Sequence, residues 1–329
     1  MNHQAIRVKS VHTFKTWDFL VYTLLTLAAV AAGFVFFRYW FSLALWQESP
    51  GSLSVLTTLL CLSLGFLVFS WLLLPRMKRP LPLTPRPDWK VGVVTTFVPA
   101  IESIEMLEET VKAMVAIRYP HDTWVLDEED DPEVKHLCKQ LGACHFSRKD
   151  RPEYQTEAGT FRARTKYGNV NAWLYETGFK QYDIISSFDP DHIPETDFLD
   201  QVLGYFEDEG VGYVQAAQVY YNQPASFIAR GAAEETYSYY STIQMATYSL
   251  GYPIVTGCHN THRASALQEV GGFSAHDADD LLITLQYRSR GWQGVYVPEV
   301  LAKGLTPVDW NGYLKQQRRW ASSVPDIRR

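Results

Sequence analysis

Two long uncharged apolar segments near the N-terminus constrain this chain more than any other feature. Segment 19–37 reads FLVYTLLTLAAVAAGFVFF, and segment 53–74 reads LSVLTTLLCLSLGFLVFSWLLL. Each approaches the ~20 apolar residues that a helix needs to cross ~30 Å of hydrocarbon. A signal peptide is the alternative for the first, but Arg38, Tyr39 and Trp40 follow it instead of a small-residue cleavage site. The pattern predicts a hairpin of two transmembrane helices.

Charge is divided unevenly along the chain. Residues 1–90 carry nine Lys or Arg and three acids, so the remaining residues hold a net charge of −12 within a total of −6. Basic side chains flank the apolar segments at 7–15 and 76–79, whereas the connection 46–52 holds one acid and no base. The positive-inside rule therefore predicts that both ends of the hairpin are cytoplasmic. We expect a multi-pass protein of the plasma membrane whose main domain is cytoplasmic.

The composition excludes several classes of protein. With 47% hydrophobic residues the chain can bury enough apolar surface to fold, which excludes disorder. No net basic field attracts nucleic acid, so we expect no nucleic acid partner. The four cysteines lack a CxxC spacing, so neither a disulfide framework nor a zinc site is indicated. The spacing of His259, His262 and His276 also matches no standard zinc motif, which favours hydrogen-bonding roles for them.

The proline-rich stretch 79–87 separates the hairpin from the rest of the chain. Beyond it lie roughly 240 residues, a size that one α/β domain can fill. The predicted parts are a cytoplasmic segment at 1–18, two membrane helices within 19–75, a proline-rich linker at 76–90, a cytoplasmic α/β domain at 91–310 and a helix at the membrane interface at 311–329.

Short apolar runs alternate with helical periodicity beyond residue 90. This alternation predicts an α/β domain with a mostly parallel sheet flanked by helices, and ligands in such sheets bind at the carboxyl ends of the strands. No Walker loop or GxGxxG motif follows the first strand, so those two routes to nucleotide binding lack support. The predicted strands are 91–97, 123–126, 143–146, 183–188 and 211–220, and the predicted helices are 103–117, 132–141, 169–179 and 195–206.

The first acidic motif is DEEDD, which spans residues 127–131 and directly follows the apolar strand TWVL. Five adjacent acids repel one another, and composition alone favours a solvated loop. The position at a strand end favours Asp127 and Glu128 over the other three as functional side chains.

The second acidic motif follows the strand DIISSF and reads Asp189, Pro190, Asp191, His192. Two carboxylates at positions i and i+2 can share one Mg²⁺ or Mn²⁺, which then takes further ligands from water and substrate phosphates. Taken alone, DxD also occurs by chance and as an Asx turn. The motif is therefore a candidate metal site whose weight depends on its neighbours.

The third acidic motif, Asp279 and Asp280, opens the run DDLLITLQYRSRGW. Adjacent carboxylates at a helix start can simply complement the helix dipole. Alternatively, one of them is a general base that takes a hydroxyl proton. Both interpretations require that a helix begins here.

The fourth motif is QQRRW, in which Gln316, Arg319 and Trp320 share one face if the segment is helical. A guanidinium and an indole on one face suit a diphosphate and a sugar ring. A membrane-surface helix with snorkelling arginines and an interfacial Trp is an equal alternative when this element is taken alone.

Together and in order, these motifs resemble the processive family-two glycosyltransferases, the group of the cellulose, chitin and hyaluronan synthases. That family combines an early Asp, a DxD, a TED-like motif and QxxRW on a GT-A fold next to membrane helices. The resemblance covers about residues 91–320 and includes KYGNVN at 166–171, VQAAQ at 214–218 and TGCHNTHR at 256–263. Two motifs depart from the family, since VLDEE lacks the usual glycine of VLDDG and Ala278-Asp279-Asp280 replaces TED.

The resemblance implies a role for each matched side chain. The expected metal ligands are Asp189, Asp191 and His192. The expected base is Asp280, with Asp279 beside it in the catalytic motif. The expected contacts to the nucleotide-sugar are Thr96, Asp127, Glu128, Lys166, Asn169, Gln316 and Arg319. The expected contacts to the acceptor are Gly257, Cys258, His259 and Trp320.

The resemblance also implies a reaction, namely inverting transfer from a UDP-sugar, with UDP-glucose favoured, to the hydroxyl of a growing polysaccharide. Mg²⁺ or Mn²⁺ is the expected cofactor, and the expected partners are the lipid membrane, the glycan and additional membrane subunits or a second copy of the chain. One alternative is a non-processive transferase with a lipid or protein acceptor. Another is a catalytically silent membrane subunit, because family synthases continue into further membrane helices, whereas this chain stops nine residues after Trp320.

Overall fold

Two long apolar helices project from the rest of the molecule in a computed structural model that describes residues 8–99, 102–274, 276 and 278–326. Helix α1 spans Thr16–Trp40 and helix α3 spans Pro50–Leu73, with the short α2, Leu43–Glu48, between them. Both are long and apolar enough to cross a membrane by length and composition. None of the side chains of α1 is buried, and only Leu53 is buried in α3. Apolar faces left this open in one chain indicate contact with lipid or with another protein.

Aromatic side chains hold the two long helices together. The rings of Tyr22 and Trp71 stack at 5.1 Å between centroids, and Trp71 Nε1 donates to Thr26 Oγ1 at 2.8 Å. At the other end Trp40 Nε1 donates to Thr57 Oγ1 at 2.9 Å. Each indole thus satisfies its N–H within the hairpin, where water is scarce if the helices are in lipid.

A two-stranded sheet joins the two ends of the hairpin. Strand β1, Ser10–His12, precedes α1 and pairs antiparallel with β2, Lys78–Pro80, which follows α3. Both ends of the hairpin therefore lie on one side of the apolar helices. Residues 76–90, predicted as a linker, are not a free tether, because β2 is paired and Met77 and Trp89 are buried in the main core.

The main domain is built on a seven-stranded sheet. In spatial order its strands are β11 (Gln293–Val297), β8 (Val211–Ala216), β10 (Asn260–Arg263), β6 (Ile184–Phe188), β3 (Val91–Phe97), β4 (Asp122–Asp127) and β5 (Cys144–Phe146). All neighbouring strands are parallel except β10, which is antiparallel to both β6 and β8. The prediction of a mostly parallel sheet is confirmed.

A smaller sheet lies next to the second acidic motif. It contains β7 (Ile193–Pro194), β12 (Ala302–Gly304) and β9 (Val219–Tyr220), in that order. The predicted strand 211–220 is thus split, because the chain leaves the large sheet after β8 and enters the small one as β9.

Helices cover both faces of the large sheet. The helices of the main domain are α4 (Ile104–Val115), α5 (Pro132–Leu141), α6 (Lys166–Trp173), α7 (Phe179–Gln181), α8 (Phe198–Val202), α9 (Phe227–Ser238), α10 (Gln244–Ser249), α11 (Ala264–Glu269), α12 (Asp279–Ser289) and α13 (Trp310–Asp326), of which α13 packs on α9. Side chains alternate between the faces: Val93 and Ile184 pack into one core, and Val94 and Ile185 pack into another. The sheet is therefore covered on both sides, as the continuous apolar strands require.

The parallel order of β6, β3 and β4 determines where functional groups meet. Their carboxyl ends are Phe188, Phe97 and Asp127, and all three lie at the same edge of the sheet. The acidic motifs that follow β4 and β6 are thereby brought to one rim of the domain, as ligand sites in such sheets require.

Candidate functional site

The second acidic motif follows β6 directly. The side chains of Asp189 and Asp191 are 30% and 29% exposed, and His192 is almost completely buried behind them. One donor atom from each of the three residues lies within 4.8 Å of the other two. Two carboxylates and an imidazole can all serve as ligands of Mg²⁺ or Mn²⁺. The structure thus brings together the three residues predicted as metal ligands in a set that fits one divalent cation.

Lys166, at the start of α6, lies against this motif. Its Nζ donates to Asp189 Oδ1 and to the carbonyl oxygen of Gly257, the latter at 2.7 Å. Burial disfavours the charged form of both side chains, but the attraction between Lys166 and Asp189 outweighs this effect. The pKa of Lys166 is therefore raised and the pKa of Asp189 is lowered. A fixed ammonium beside the carboxylates can bind the anionic diphosphate of a nucleotide donor.

The third acidic motif opens α12, as predicted. Asp279 is 1% exposed, and among the described residues neither of its carboxylate oxygens has a hydrogen-bond partner. Burial, and then the charge of Asp280, raises the pKa of Asp279 well above its usual range, so this carboxyl is neutral. Asp280 is more open and accepts from Leu281 N at 2.8 Å, and burial raises its pKa as well. The two adjacent acids therefore differ in burial, with Asp280 as the more accessible one.

Tyr167 is a residue of the site that the sequence did not single out. Burial, followed by the charges of Asp279, Asp189 and Asp280, raises its pKa well above the usual range. Its ring stacks on Phe273 with 4.9 Å between centroids. The phenol is thus protonated within the field of both acidic motifs, where it can donate a hydrogen bond. Its position inside KYGNVN was the only available signal.

Asp127 is fully buried at the end of β4, and its contact with the nucleotide stays a prediction. Its Oδ1 accepts from Glu129 N at 3.0 Å and its Oδ2 accepts from Asp131 N at 2.5 Å. His145 Nε2 also lies 3.1 Å from Oδ2. The carboxylate closes the DEEDD turn, because both oxygens are used by the loop itself.

Glu128 forms a buried ion pair with Arg148 instead of facing open space. Arg148 is fully buried and binds both carboxylate oxygens of Glu128, at 2.9 and 3.1 Å. The same guanidinium donates to the carbonyl oxygens of Tyr154, Arg162 and Thr165 at 3.0, 3.1 and 3.3 Å. Arg148 therefore fixes the loop that leads into α6 and Lys166. A lone arginine after a short strand offers no sequence signal for this role.

Asn169 and Thr96 lie close to the same rim but are turned inward. Asn169 is 2% exposed, and its Nδ2 donates to the carbonyl oxygen of Leu126 at 3.1 Å. This bond ties α6 to the end of β4, and a direct nucleotide contact of Asn169 stays a prediction. Thr96 is 8% exposed, one residue before the end of β3.

The loop before β10 was predicted to bind the acceptor, but the structure buries two of its three residues. Gly257 is partly exposed, whereas Cys258 is 2% and His259 is 0% exposed. Gln215 holds this loop, since its Nε2 donates to the carbonyl oxygen of Cys258 and its Oε1 accepts from Thr256 N, at 2.9 and 2.8 Å. Cys258 and His259 therefore form the layer behind the acidic motif, and their contact with the acceptor stays a prediction.

The hydrogen-bonding roles favoured for the three histidines are found at each of them, and His259 Nδ1 lies 3.2 Å from the carbonyl oxygen of Ala217. His262 is fully buried and uses both ring nitrogens, one with Tyr287 Oη and one with Asn260 Oδ1, each at 2.9 Å. Burial lowers its pKa to about 3, so the ring is neutral. His276 Nδ1 accepts from Ala278 N at 3.0 Å.

Two side chains that hydrogen-bond in series to His192 were not identified from the sequence. Gln218 Nε2 donates to His192 Nε2 at 3.2 Å, and Tyr240 Oη donates to Gln218 Oε1 at 2.5 Å. Tyr240 belongs to a π-helical turn, Tyr239–Ile243, between α9 and α10. Such turns are frequent at functional sites, but no local pattern announces them.

The QQRRW motif lies on a helix, α13. Gln316 is partly buried, and Arg319 and Trp320 are exposed. Tyr313, one turn earlier, donates to Glu235 Oε2 at 2.9 Å and joins α13 to α9. Among the residues that the structure describes, neither Arg319 nor Trp320 forms a hydrogen bond or ion pair with the acidic motifs. Both side chains are free to bind another molecule.

A family model and several characterised proteins match the amino-acid sequence of this chain. The family model described as glycosyltransferase-like family 2 matches residues 92–323. Cellulose synthase 1 of Komagataeibacter xylinus is 27% identical over 293 residues, which cover 85% of this chain and 18% of that protein. The cellulose synthase catalytic subunit (UDP-forming) of Xanthomonas axonopodis pv. citri is 26% identical over 279 residues. This match covers 82% of this chain and 36% of the length of that subunit. The chain thus spans little more than a third of these relatives at most.

A solved structure shares the architecture. A mannosyltransferase from Pyrobaculum calidifontis, in complex with GDP-Man and Mn²⁺, superposes with a TM-score of 0.62 at 18% sequence identity. The match covers 84% of this chain and 76% of the mannosyltransferase chain. The predicted GT-A-type α/β fold is confirmed by this likeness.

Proposed function

Because this chain belongs to the glycosyltransferase-like family 2, we propose that it is a membrane-bound inverting glycosyltransferase. It transfers a sugar from a UDP-sugar to the hydroxyl of a growing polysaccharide. The observation that carries the proposal is the meeting of Asp189, Asp191, Lys166 and Asp280 around Tyr167 at one rim of the sheet. Relatives named cellulose synthase, some described as UDP-forming, support UDP-glucose as the donor.

The donor diphosphate binds at the second acidic motif. Asp189 and Asp191, with His192 behind them, would hold Mg²⁺ or Mn²⁺, which offsets charge on the diphosphate when bound. Lys166 adds a cation on the same side, and its bond to Gly257 O keeps it in place when Asp189 turns to another partner. The donor set, and the Mn²⁺ in the mannosyltransferase of the same fold, support this assignment.

Asp280 takes the proton of the acceptor hydroxyl as that oxygen attacks the anomeric carbon. Its raised pKa and partial exposure support this role, since a base acts best when its pKa is near the working pH. Asp279 is protonated and buried, so it shapes the start of α12 and leaves the proton transfer to its neighbour.

The acceptor is guided by the exposed face of α13. Arg319 provides a guanidinium for the diphosphate, Trp320 provides a platform for a sugar ring, and Gln316 lies one turn before Trp320. The exposure of Arg319 and Trp320 supports this assignment, because each can receive a ligand without losing an internal contact.

The hairpin of α1 and α3 places the enzyme in the plasma membrane, with the α/β domain on the cytoplasmic side. The exposed apolar side chains of both helices and the basic residues at their joined ends support this arrangement. Further membrane subunits or a second copy of the chain complete the proposed set of partners.

UDP release from UDP-glucose by membranes that carry the full chain tests the proposal. We expect this release to depend on the metal. UDP-N-acetylglucosamine, UDP-glucuronate and GDP-mannose are tested in parallel as alternative donors, with release of GDP measured for GDP-mannose. The variant Asp280→Asn should lose about 10²–10⁴-fold in rate, whereas Asp279→Asn should lose much less. Undiminished release by Asp280→Asn contradicts the base, and no release from any donor contradicts the activity.

A further inference from the structure

A second group of metal-binding side chains lies behind the acidic motif. His192, Cys258 and His259 are all buried, and one donor atom of each lies within 4.8 Å of the other two. Cys258 Sγ is 3.9 Å from His192 Nε2. In a tetrahedral zinc site, bonds of about 2.0–2.3 Å place neighbouring ligand atoms roughly 3.5 Å apart. Side-chain rotations that shorten these separations would close the group around one ion.

His259 already has the partner that a metal-bound histidine needs. His259 Nδ1 lies 3.2 Å from the carbonyl oxygen of Ala217. A carbonyl only accepts, so Nδ1 carries the proton and Nε2 has the free lone pair. His192 Nδ1 lies 3.2 Å from Asp191 Oδ1 without forming a hydrogen bond among the described residues, so this side of the ring faces the carboxylates and Nε2 faces Cys258. Metal-bound histidines nearly always donate the other ring N–H to a carboxylate or a backbone carbonyl.

His259 provides a second and independent observation. Its Nε2 is fully buried and has no hydrogen-bond partner among the described residues. Its backbone has a φ of 55°, which only a few per cent of non-glycine residues adopt. Strained backbone and an unsatisfied buried acceptor are both costly, and they persist at sites where a ligand uses them.

We propose that His192, Cys258 and His259 form a cation site distinct from the carboxylate pair, which takes a thiophilic ion such as Zn²⁺. The thiol loses its proton to solvent on binding, as metal-bound cysteines do. The ion displaces the hydrogen bond from Gln218 to His192 Nε2. A half-turn of the Gln218 amide then presents Oε1 as a fourth ligand, while the hydroxyl of Tyr240 can accept as well as donate.

Occupation of this site fixes the ring of His192 and, through Nδ1, the orientation of Asp191. Asp189 and Asp191 remain available for a hard divalent cation, because carboxylates suit Mg²⁺ whereas thiolate and imidazole suit Zn²⁺. The two sites therefore discriminate between ions by ligand type.

Metal titration of the full chain, purified in detergent and stripped with a chelator, tests this site. Co²⁺ added in the presence of excess Mg²⁺ should bind one equivalent and produce a thiolate-to-cobalt charge-transfer band. We expect Cys258→Ser to abolish the band and His259→Asn to weaken binding by at least about tenfold. Cys138→Ser removes another buried cysteine, distant from the group, and should leave the band unchanged.

Two outcomes overturn the site. One is an unchanged band in Cys258→Ser. The other is Co²⁺ binding that lacks the band and disappears in Asp189→Asn, since only the carboxylate pair then binds the ion. Circular dichroism of each variant shows whether it is folded. The spectroscopic signal requires no sugar transfer, so it is independent of the proposed activity.

Discussion

Arg148 and Glu128 form a bidentate ion pair, at 2.9 and 3.1 Å, in which the guanidinium is completely buried. The remaining N–H groups of Arg148 bind carbonyl oxygens of the loop before α6. This single side chain therefore connects the end of β4, where Glu128 lies, with the helix that begins at Lys166. Removing one partner of such a pair leaves an uncompensated buried charge.

Arg148→Met should lower the free energy of unfolding by about 3–5 kcal/mol, since Glu128 loses its buried counter-ion. Chemical denaturation of the detergent-solubilised chain measures this loss. Arg151→Met is the matched control, because Arg151 pairs with Glu176 at 3.0 Å with both side chains well exposed, and it should cost less than about 1 kcal/mol. Equal losses in the two variants contradict a special role for Arg148.

Asp279→Asn should raise the free energy of unfolding at neutral pH by about 1–3 kcal/mol, because the buried carboxyl must take up a proton on folding, whereas an amide is neutral in both states. The pKa of Asp279 in the folded chain is raised above 3.8, so the folded state holds the proton more tightly than the unfolded state. Its contribution to stability is therefore present at low pH and is lost as the pH rises above about 4.

Melting temperatures of Asp279→Asn and the parent chain between pH 4 and pH 8 check this sign. The gap between them should widen as the pH rises. Asp88→Asn, an exposed carboxyl, should show no such trend. A gap that narrows at high pH shows that Asp279 is ionised in the folded state.

Asp191→Asn should raise the Mg²⁺ or Mn²⁺ concentration needed for half-maximal UDP release by at least about tenfold, because one of two carboxylate ligands is lost. Chelation of the metal should abolish release in the parent chain, and added metal should restore it. Asp197→Asn removes a nearby carboxyl that pairs only loosely with Arg118, at 3.9 Å, and should not change the metal requirement. A common shift in both variants indicates a general loss of charge instead of a lost ligand.

A disulfide should form between cysteines placed at His12 and Lys78. These residues are directly opposite in β1 and β2, and backbone hydrogen bonds at Leu81–Lys9 and Thr13–Met77 make them a non-hydrogen-bonded pair, with Cα atoms about 4.5 Å apart. Oxidation of the double variant, followed by a gel-mobility assay, detects the cross-link.

The matched control pairs His12→Cys with a cysteine at Arg86, which lies outside β2. Efficient cross-linking to residue 86, or none to residue 78, contradicts the pairing of β1 with β2. Labelling of the single cysteines in sealed membrane vesicles also shows on which side of the membrane both hairpin ends lie.

Much of the fold was predictable because its elements are encoded locally. The predicted strand 91–97 and helix 132–141 match β3 and α5 residue for residue. Strand β10 was missed, since Asn260–Arg263 is polar and has no apolar alternation. It is buried because distant partners satisfy it, for example Ser186 Oγ at 3.0 Å from Thr261 Oγ1. Contacts between remote residues cannot be read from a local pattern.

The site was predictable in position but not in detail. Acids at strand ends were expected at one rim, and both Asp127 and Asp189 are there. The first is fully buried and the second is partly open, although both follow an apolar strand in the same manner. The difference arises from the turn that each carboxylate enters, which is decided by backbone N–H groups that the residue type does not reveal.

The pairing of β1 with β2 sets an order of events during synthesis. β1 is synthesised before both apolar helices and its partner β2 after them. β1 therefore stays unpaired until the hairpin is complete. Insertion of the helices brings the two strands together and shortens the loop that must close. A polypeptide released after α1 alone carries an open strand edge, which quality-control proteases can recognise as unfinished.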